Sequence, residues 1–137
     1  ISWKPDLIIA SYHGIPKKYF DKGDPYHCYC HKTTRLISEK FSSVKIKTTF
    51  QSRFGPQEWL QPYTDKTLEN LPKEGVKNVL TICPGFASDC VETLEEIQIQ
   101  AKESFLNSGG ENFDMVPCLN DNNDHITLLR SLIERNV

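Results

Sequence analysis

Short apolar runs return four times along this chain, at residues 7–10, 44–50, 78–82 and 113–116, and each is followed by a longer helix-forming stretch. The first run suits a strand buried on both faces, and 44–50 reads as a strand from its β-branched residues, with Lys45 and Lys47 alternating along it. Asp24-Pro25 starts the first long helix, as an acceptor at the cap followed by proline in the first turn. That helix should run to about Phe41, with Tyr26, Tyr29, Cys30, Thr33, Leu36 and Ile37 on its buried face. Thr64 caps a second helix, which Pro72 should close near Leu71. A third spans about 90–107 and stops at Gly109-Gly110, and Asn123 or Asp124 caps a last one from His125. The order βαβαβαβα predicts one α/β domain over 1–137, a three-layer α/β/α arrangement around a four-stranded parallel sheet with right-handed crossovers.

The length of 137 residues allows one ordinary core. A formal net charge of −2 does not point to nucleic acid as the partner. No apolar run approaches the ~20 residues of a membrane span, and no signal peptide is visible. Neither GxGxxG nor the Walker A glycine pattern occurs, which argues against an ordinary nucleotide site. The five cysteines are odd in number and fit no disulfide framework, so a reducing compartment is expected. The chain begins with Ile1 rather than Met and enters a strand at once, as expected of a piece of a longer polypeptide.

Chemistry-bearing residues cluster around 83–105. On a regular helix, at about 100° per residue, Asp89, Glu92, Glu96 and Glu103 fall within roughly 60° of one another. Val91, Leu94, Ile97, Ala101 and Phe105 gather nearly opposite, and Glu95 lies off the acidic ladder. Such a stripe is most often a solvated helix face. This one, however, begins where a strand hands over to a helix, at the carboxyl edge where open α/β sheets bind ligands. The same edge should carry His13, one step past the first strand, and Arg53, past the second. A neutral imidazole there can take a proton or bind a metal, and a guanidinium suits a carboxylate-bearing ligand. Trp59 and Tyr63 can wall a flat aromatic ligand or pack in the core. In Cys28-Tyr29-Cys30-His31, helical residues two apart point about 160° from each other. Cys28 should therefore face out with His27 and His31 while Cys30 packs inward, which does not favour a sulfur-ligated cluster. Cys83, Cys90 and Cys118 read as small apolar residues at strand ends.

Several stretches together resemble the carboxyl-terminal half of ferrochelatase, of the type found in Gram-negative bacteria. They are His13-Gly14-Ile15-Pro16 with Gly23-Asp24-Pro25-Tyr26, Gln51-Ser52-Arg53-Phe54-Gly55 through Tyr63-Thr64-Asp65, Pro84-Gly85-Phe86-Ala87-Ser88-Asp89-Cys90-Val91-Glu92, and Pro117-Cys118-Leu119-Asn120. The resemblance implies insertion of Fe²⁺ into protoporphyrin IX in a cleft between two similar domains. This chain would be the second domain, with sheet order 2-1-3-4, and would be inactive without the missing N-terminal domain. It further implies that His13 is the essential histidine and Glu92 the acid facing it. Glu96 and Asp89 would continue a proton or metal path, with Ser52, Arg53 and Trp59 at the porphyrin rim. Cys90 stands where many members carry a second histidine. Some members bind a [2Fe–2S] cluster, an option that the cysteine geometry of this chain does not support. A cytoplasmic enzyme is expected, and some relatives associate with a membrane peripherally. The competing readings are a cobalt or nickel tetrapyrrole chelatase, or a non-catalytic module that binds a metal or a partner.

Overall fold

The computed structural model describes residues 1–137 throughout. Four parallel strands form one sheet in the order β2-β1-β3-β4: β1 (Leu7–His13), β2 (Ile46–Gln51), β3 (Asn78–Ile82) and β4 (Asn112–Met115). This is the expected topology. Strand β1 runs three residues further than its apolar run, so His13 ends the strand and pairs in register with Gln51.

The two faces of the sheet are covered unequally. On one face lie α3 (Thr64–Asn70), a 3₁₀ turn (Leu71–Glu74) and the helical segment from Val91 to Asn107. Ile9, Leu68, Val79, Ile97, Phe105 and Phe113 close that core. On the other face α2 (Tyr26–Lys40) packs over Ala10, Tyr12, Phe50 and Leu60. A five-residue helix, α1 (Lys17–Asp21), precedes α2.

Three expectations need correction. First, α2 buries only Cys30 and Thr34 fully, with Tyr26 and Ile37 half-buried, whereas Tyr29, Thr33 and Leu36 are exposed. The helix meets the sheet along a narrow 26-30-34-37 stripe, and Thr34 lies there because it bonds Tyr12 and Thr48 through its hydroxyl. Second, α3 closes at Leu71 as expected, but the chain does not leave helical geometry there: it tightens into the 3₁₀ turn and stops at Gly75, whose φ of 88° suits glycine. Third, the 90–107 stretch is not one regular helix. It consists of α4 (Val91–Leu94), a π-helical segment (Glu96–Ala101) and α5 (Lys102–Asn107). The Gln100 N–H reaches back five residues to the Glu95 carbonyl at 2.9 Å. The widened turn changes the angular phase, so Ile97, Ala101 and Phe105 are buried while Val91 and Leu94 remain exposed.

The last helix, α6 (Asn123–Glu134), is capped by Asn122, whose side chain accepts the His125 N–H at 2.8 Å. None of its residues is buried, and Ile126, Leu129 and Ile133 stay open.

Candidate active site

The carboxyl edge of the sheet collects His13 from β1, Gln51 and Ser52 from β2, and the turn 83–90 from β3. His13 is half-buried between the rings of Trp59 and Phe86, with centroids 6.4 and 6.3 Å away. Its Nδ1 lies 2.7 Å from the Gly14 carbonyl. A carbonyl only accepts, so Nδ1 carries the hydrogen, and the lone pair of the neutral ring is on Nε2. The Tyr26 hydroxyl donates to the His13 carbonyl at 2.7 Å and ties the strand end to α2. Gly14 leaves little room for a side chain: a Cβ there would stand 3.0 Å from the Gln51 carbonyl and 3.3 Å from the Trp59 ring.

Below this edge lies a polar layer. Ser11 donates to Gln51 Oε1 at 2.7 Å and meets Thr64 at 2.9 Å, and Thr64 donates to Thr49 at 2.8 Å. Gln51, itself buried, donates through Nε2 to the Glu92 carbonyl at 2.6 Å. Ser52 sits in the left-handed region at φ 64°, a conformation that costs a non-glycine residue about 1–2 kcal/mol. That twist aims its N–H and hydroxyl at the Glu96 carboxylate, at 2.6 and 2.5 Å. Gln51 is the residue that sequence reasoning passed over. A polar amide ending an otherwise apolar and β-branched strand, beside His13, was the available signal.

The acids therefore do not form the regular ladder expected of a single α-helix. Asp89 precedes the helix. Its carboxylate accepts from Asn120 Nδ2 at 2.8 Å, from Thr93 Oγ1 at 3.0 Å and from the Cys118 N–H at 3.3 Å. The Asn120 amide, foremost, holds the Asp89 carboxyl below the usual value; burial opposes it, and Cys118 and Thr93 add to the lowering. Glu96 is bound to Ser52. Glu92 is bound to no other segment through its carboxylate. The Cys90 side chain, Glu92's own backbone N–H and the His13 imidazole, in that order, hold its carboxyl below the ordinary value. Glu95 accepts from Gln100 at 3.0 Å, and Glu103 is exposed.

The remaining residues are placed as follows. Arg53 donates through Nη1 and Nη2 to the Asp65 carboxylate at 2.6 and 2.8 Å, and its guanidinium lies 4.0 Å from the Tyr63 ring centroid. Both terminal nitrogens thus already hold an internal carboxylate. Trp59 is buried, and its indole N–H has no partner. Cys28 is exposed and Cys30 buried, as the helical spacing required. Burial, foremost, pushes the thiols of Cys83 and Cys118 up to about 12, so both remain protonated. No three His, Cys, Asp or Glu side chains converge on a point that could hold a metal. His13, Glu92, Glu96 and Asp89 accordingly form no closed cage. An apolar opening of about 420 Å³, lined in part by Ile37, Ile82, Phe86, Val116 and Leu119, adjoins the edge.

Comparison with known proteins bears on this edge. The family model for ferrochelatase matches residues 2–137. Ferrochelatase from Rhizobium meliloti (strain 1021) is 57% identical over 137 residues, covering 98% of this chain and 40% of the relative. The ferrochelatase of Agrobacterium fabrum (strain C58 / ATCC 33970) is 53% identical with the same coverage. The chain thus spans about 40% of the length of the curated relatives it matches. Among solved structures, a protein described as a cobalamin (vitamin B12) biosynthesis CbiX protein from Marinobacter aquaeolei VT8 superposes with a TM-score of 0.58. It shares 13% identity and covers 96% of this chain and 97% of its own, a likeness of fold alone.

Proposed function

This chain belongs to the ferrochelatase family, and from that premise we propose that the full-length protein of which it forms a part inserts Fe²⁺ into protoporphyrin IX to give protohaem. Insertion exchanges two pyrrole protons for one dication, so the site must accept two protons while admitting a cation. The observation that carries the reading is the tautomer of His13, whose Nδ1 is engaged by the Gly14 carbonyl so that the lone pair is left on Nε2. In this reading Nε2 accepts one pyrrole proton or passes the metal inward. Glu92 faces it as a carboxylate whose ionised form is favoured, foremost, by the Cys90 side chain. It draws the cation in or takes the second proton. Glu96 and Asp89, each held by hydrogen bonds, extend the acidic path outward.

Trp59 and Ser52 would stand at the porphyrin rim. Arg53 would act there through the loop that it braces against Asp65 rather than as a free carboxylate receptor. We assign residues 1–137 as the second domain of a two-domain enzyme. The open apolar face of α6 and the opening beside Phe86 would meet the remaining part of the polypeptide or the macrocycle. No helix is long and apolar enough to cross a membrane, and we place the enzyme in the cytoplasm, with contact to a membrane only at its surface.

The test is metal insertion by the full-length protein, followed through porphyrin fluorescence. His13→Ala should lower turnover by roughly 10²–10⁴-fold, the range for a lost acid–base group, with the circular dichroism unchanged. Near-normal turnover would remove His13 from the chemistry.

A further inference from the structure

Two histidines outside this edge have no part in the reaction proposed above. His27 and His31 lie four residues apart on α2, a spacing that stacks side chains on one helix face. Their ring centroids are 4.4 Å apart with planes inclined by 49°. Neither imidazole makes a hydrogen bond. His27 is held between Phe20, at 4.8 Å, and Phe50, at 5.7 Å with planes 21° apart. Aromatic packing accounts for the position of His27. It does not account for a second imidazole set against the first with its nitrogens unused.

We propose that His27 and His31 form a two-histidine site for a borderline divalent transition-metal ion, Ni²⁺, Cu²⁺ or Zn²⁺, on α2 and apart from His13. Imidazole selects these ions over Mg²⁺ or Ca²⁺. With N–metal bonds of about 2.0–2.1 Å, two imidazoles at a right angle on one ion bring their centroids to about 4.5 Å, close to the spacing present. Burial and then the neighbouring His27 lower the His31 pKa, which favours the neutral ring that a metal needs. The Phe20–Phe50 clamp fixes His27, so little freedom is lost on binding. No third His, Cys, Asp or Glu joins the pair. His31 is exposed, and His27 borders a recess of about 170 Å³ beside Lys17 and Glu58, so water can complete the coordination. The ion is an open two-ligand chelate, not a buried structural centre.

The experiment is calorimetric titration of the full-length protein with Ni²⁺ alone, comparing wild type, His27→Gln, His31→Gln and the double variant. Each single variant should bind one Ni²⁺ fewer, or bind it at least tenfold more weakly, and the double variant should be no worse than either single one. Because His31 is exposed, His31→Gln keeps the test valid even if His27→Gln disturbs the packing on Phe50. Unchanged Ni²⁺ binding in His31→Gln would overturn the site. So would losses that simply add in the double variant, since these would mean two independent surface imidazoles.

Discussion

The core beneath α5 and the layer beneath His13 are both buried, but they are built on opposite principles. Under α5, Phe105 is fully enclosed, its ring 5.9 Å from that of Phe113. Packing is so close that a Cβ on Gly110 would come within 2.2 Å of the Phe105 ring. Under His13, the buried side chains of Ser11, Thr49, Gln51 and Thr64 are polar and bonded to one another. An apolar core stabilises through area removed from water and tolerates rearrangement if volume is kept. A polar layer adds little net stability, but each member fixes the direction of the next. Here that direction ends on the Glu92 carbonyl and the Glu96 carboxylate. The first region makes the sheet stable, and the second aims groups at its edge.

The largest expected effect tests the apolar side. Phe105→Ala should destabilise the full-length protein by about 3–5 kcal/mol, read as a lowered urea midpoint, with little change in turnover per folded molecule. Gln51→Leu should reverse this pattern. It conserves bulk but leaves the Glu92 carbonyl without its donor, so a loss of about 1–3 kcal/mol is expected. Turnover should also fall by roughly tenfold or more from misplacement of Glu92. If Gln51→Leu changed only stability, the distinction between the two regions would collapse.

The smallest effect is acidic. The Asp89 carboxyl is held below its ordinary value of 3.8, so its contribution is complete above that value. The contribution is lost as pH falls through the lower folded value. The urea midpoints of wild type and Asp89→Asn should therefore differ at pH 6 and converge below about pH 3.8. A constant difference across that range would mean that the Asn120 and Cys118 contacts do not depend on the charge.

The sheet was readable because its signals are local. Apolar runs such as 78–82 and punctuation such as Asp24-Pro25 need no distant partner to be interpreted. The placement of His13 at the carboxyl edge followed from strand order alone. What escaped depended on contacts far apart in the chain. Gln51 became important only when β2 lay beside β1 and the helix start came across to it. The π-helical turn at Glu96–Ala101 was hidden because its residues fit an ordinary wheel, and the Ser52–Glu96 bonds that accompany the widened turn link positions 44 residues apart. The burial of Thr34 in place of Thr33 likewise rests on hydroxyl bonds to Tyr12 and Thr48, which no hydrophobic pattern encodes. The open face of α6 was invisible to periodicity, which marks an apolar stripe but not whether anything covers it.

The account rests on Glu92 acting with His13 while its near neighbour Glu95 lies outside the site. The most direct measurement is the rate of metal insertion by the full-length protein carrying Glu92→Gln or Glu95→Gln, each checked for an unchanged fold. The account predicts a loss of roughly 10²-fold or more for Glu92→Gln and less than about twofold for Glu95→Gln, whose carboxylate meets only Gln100. Equal losses, or a normal rate with Glu92→Gln, would contradict it and return the acidic face to the role of a solvated helix surface.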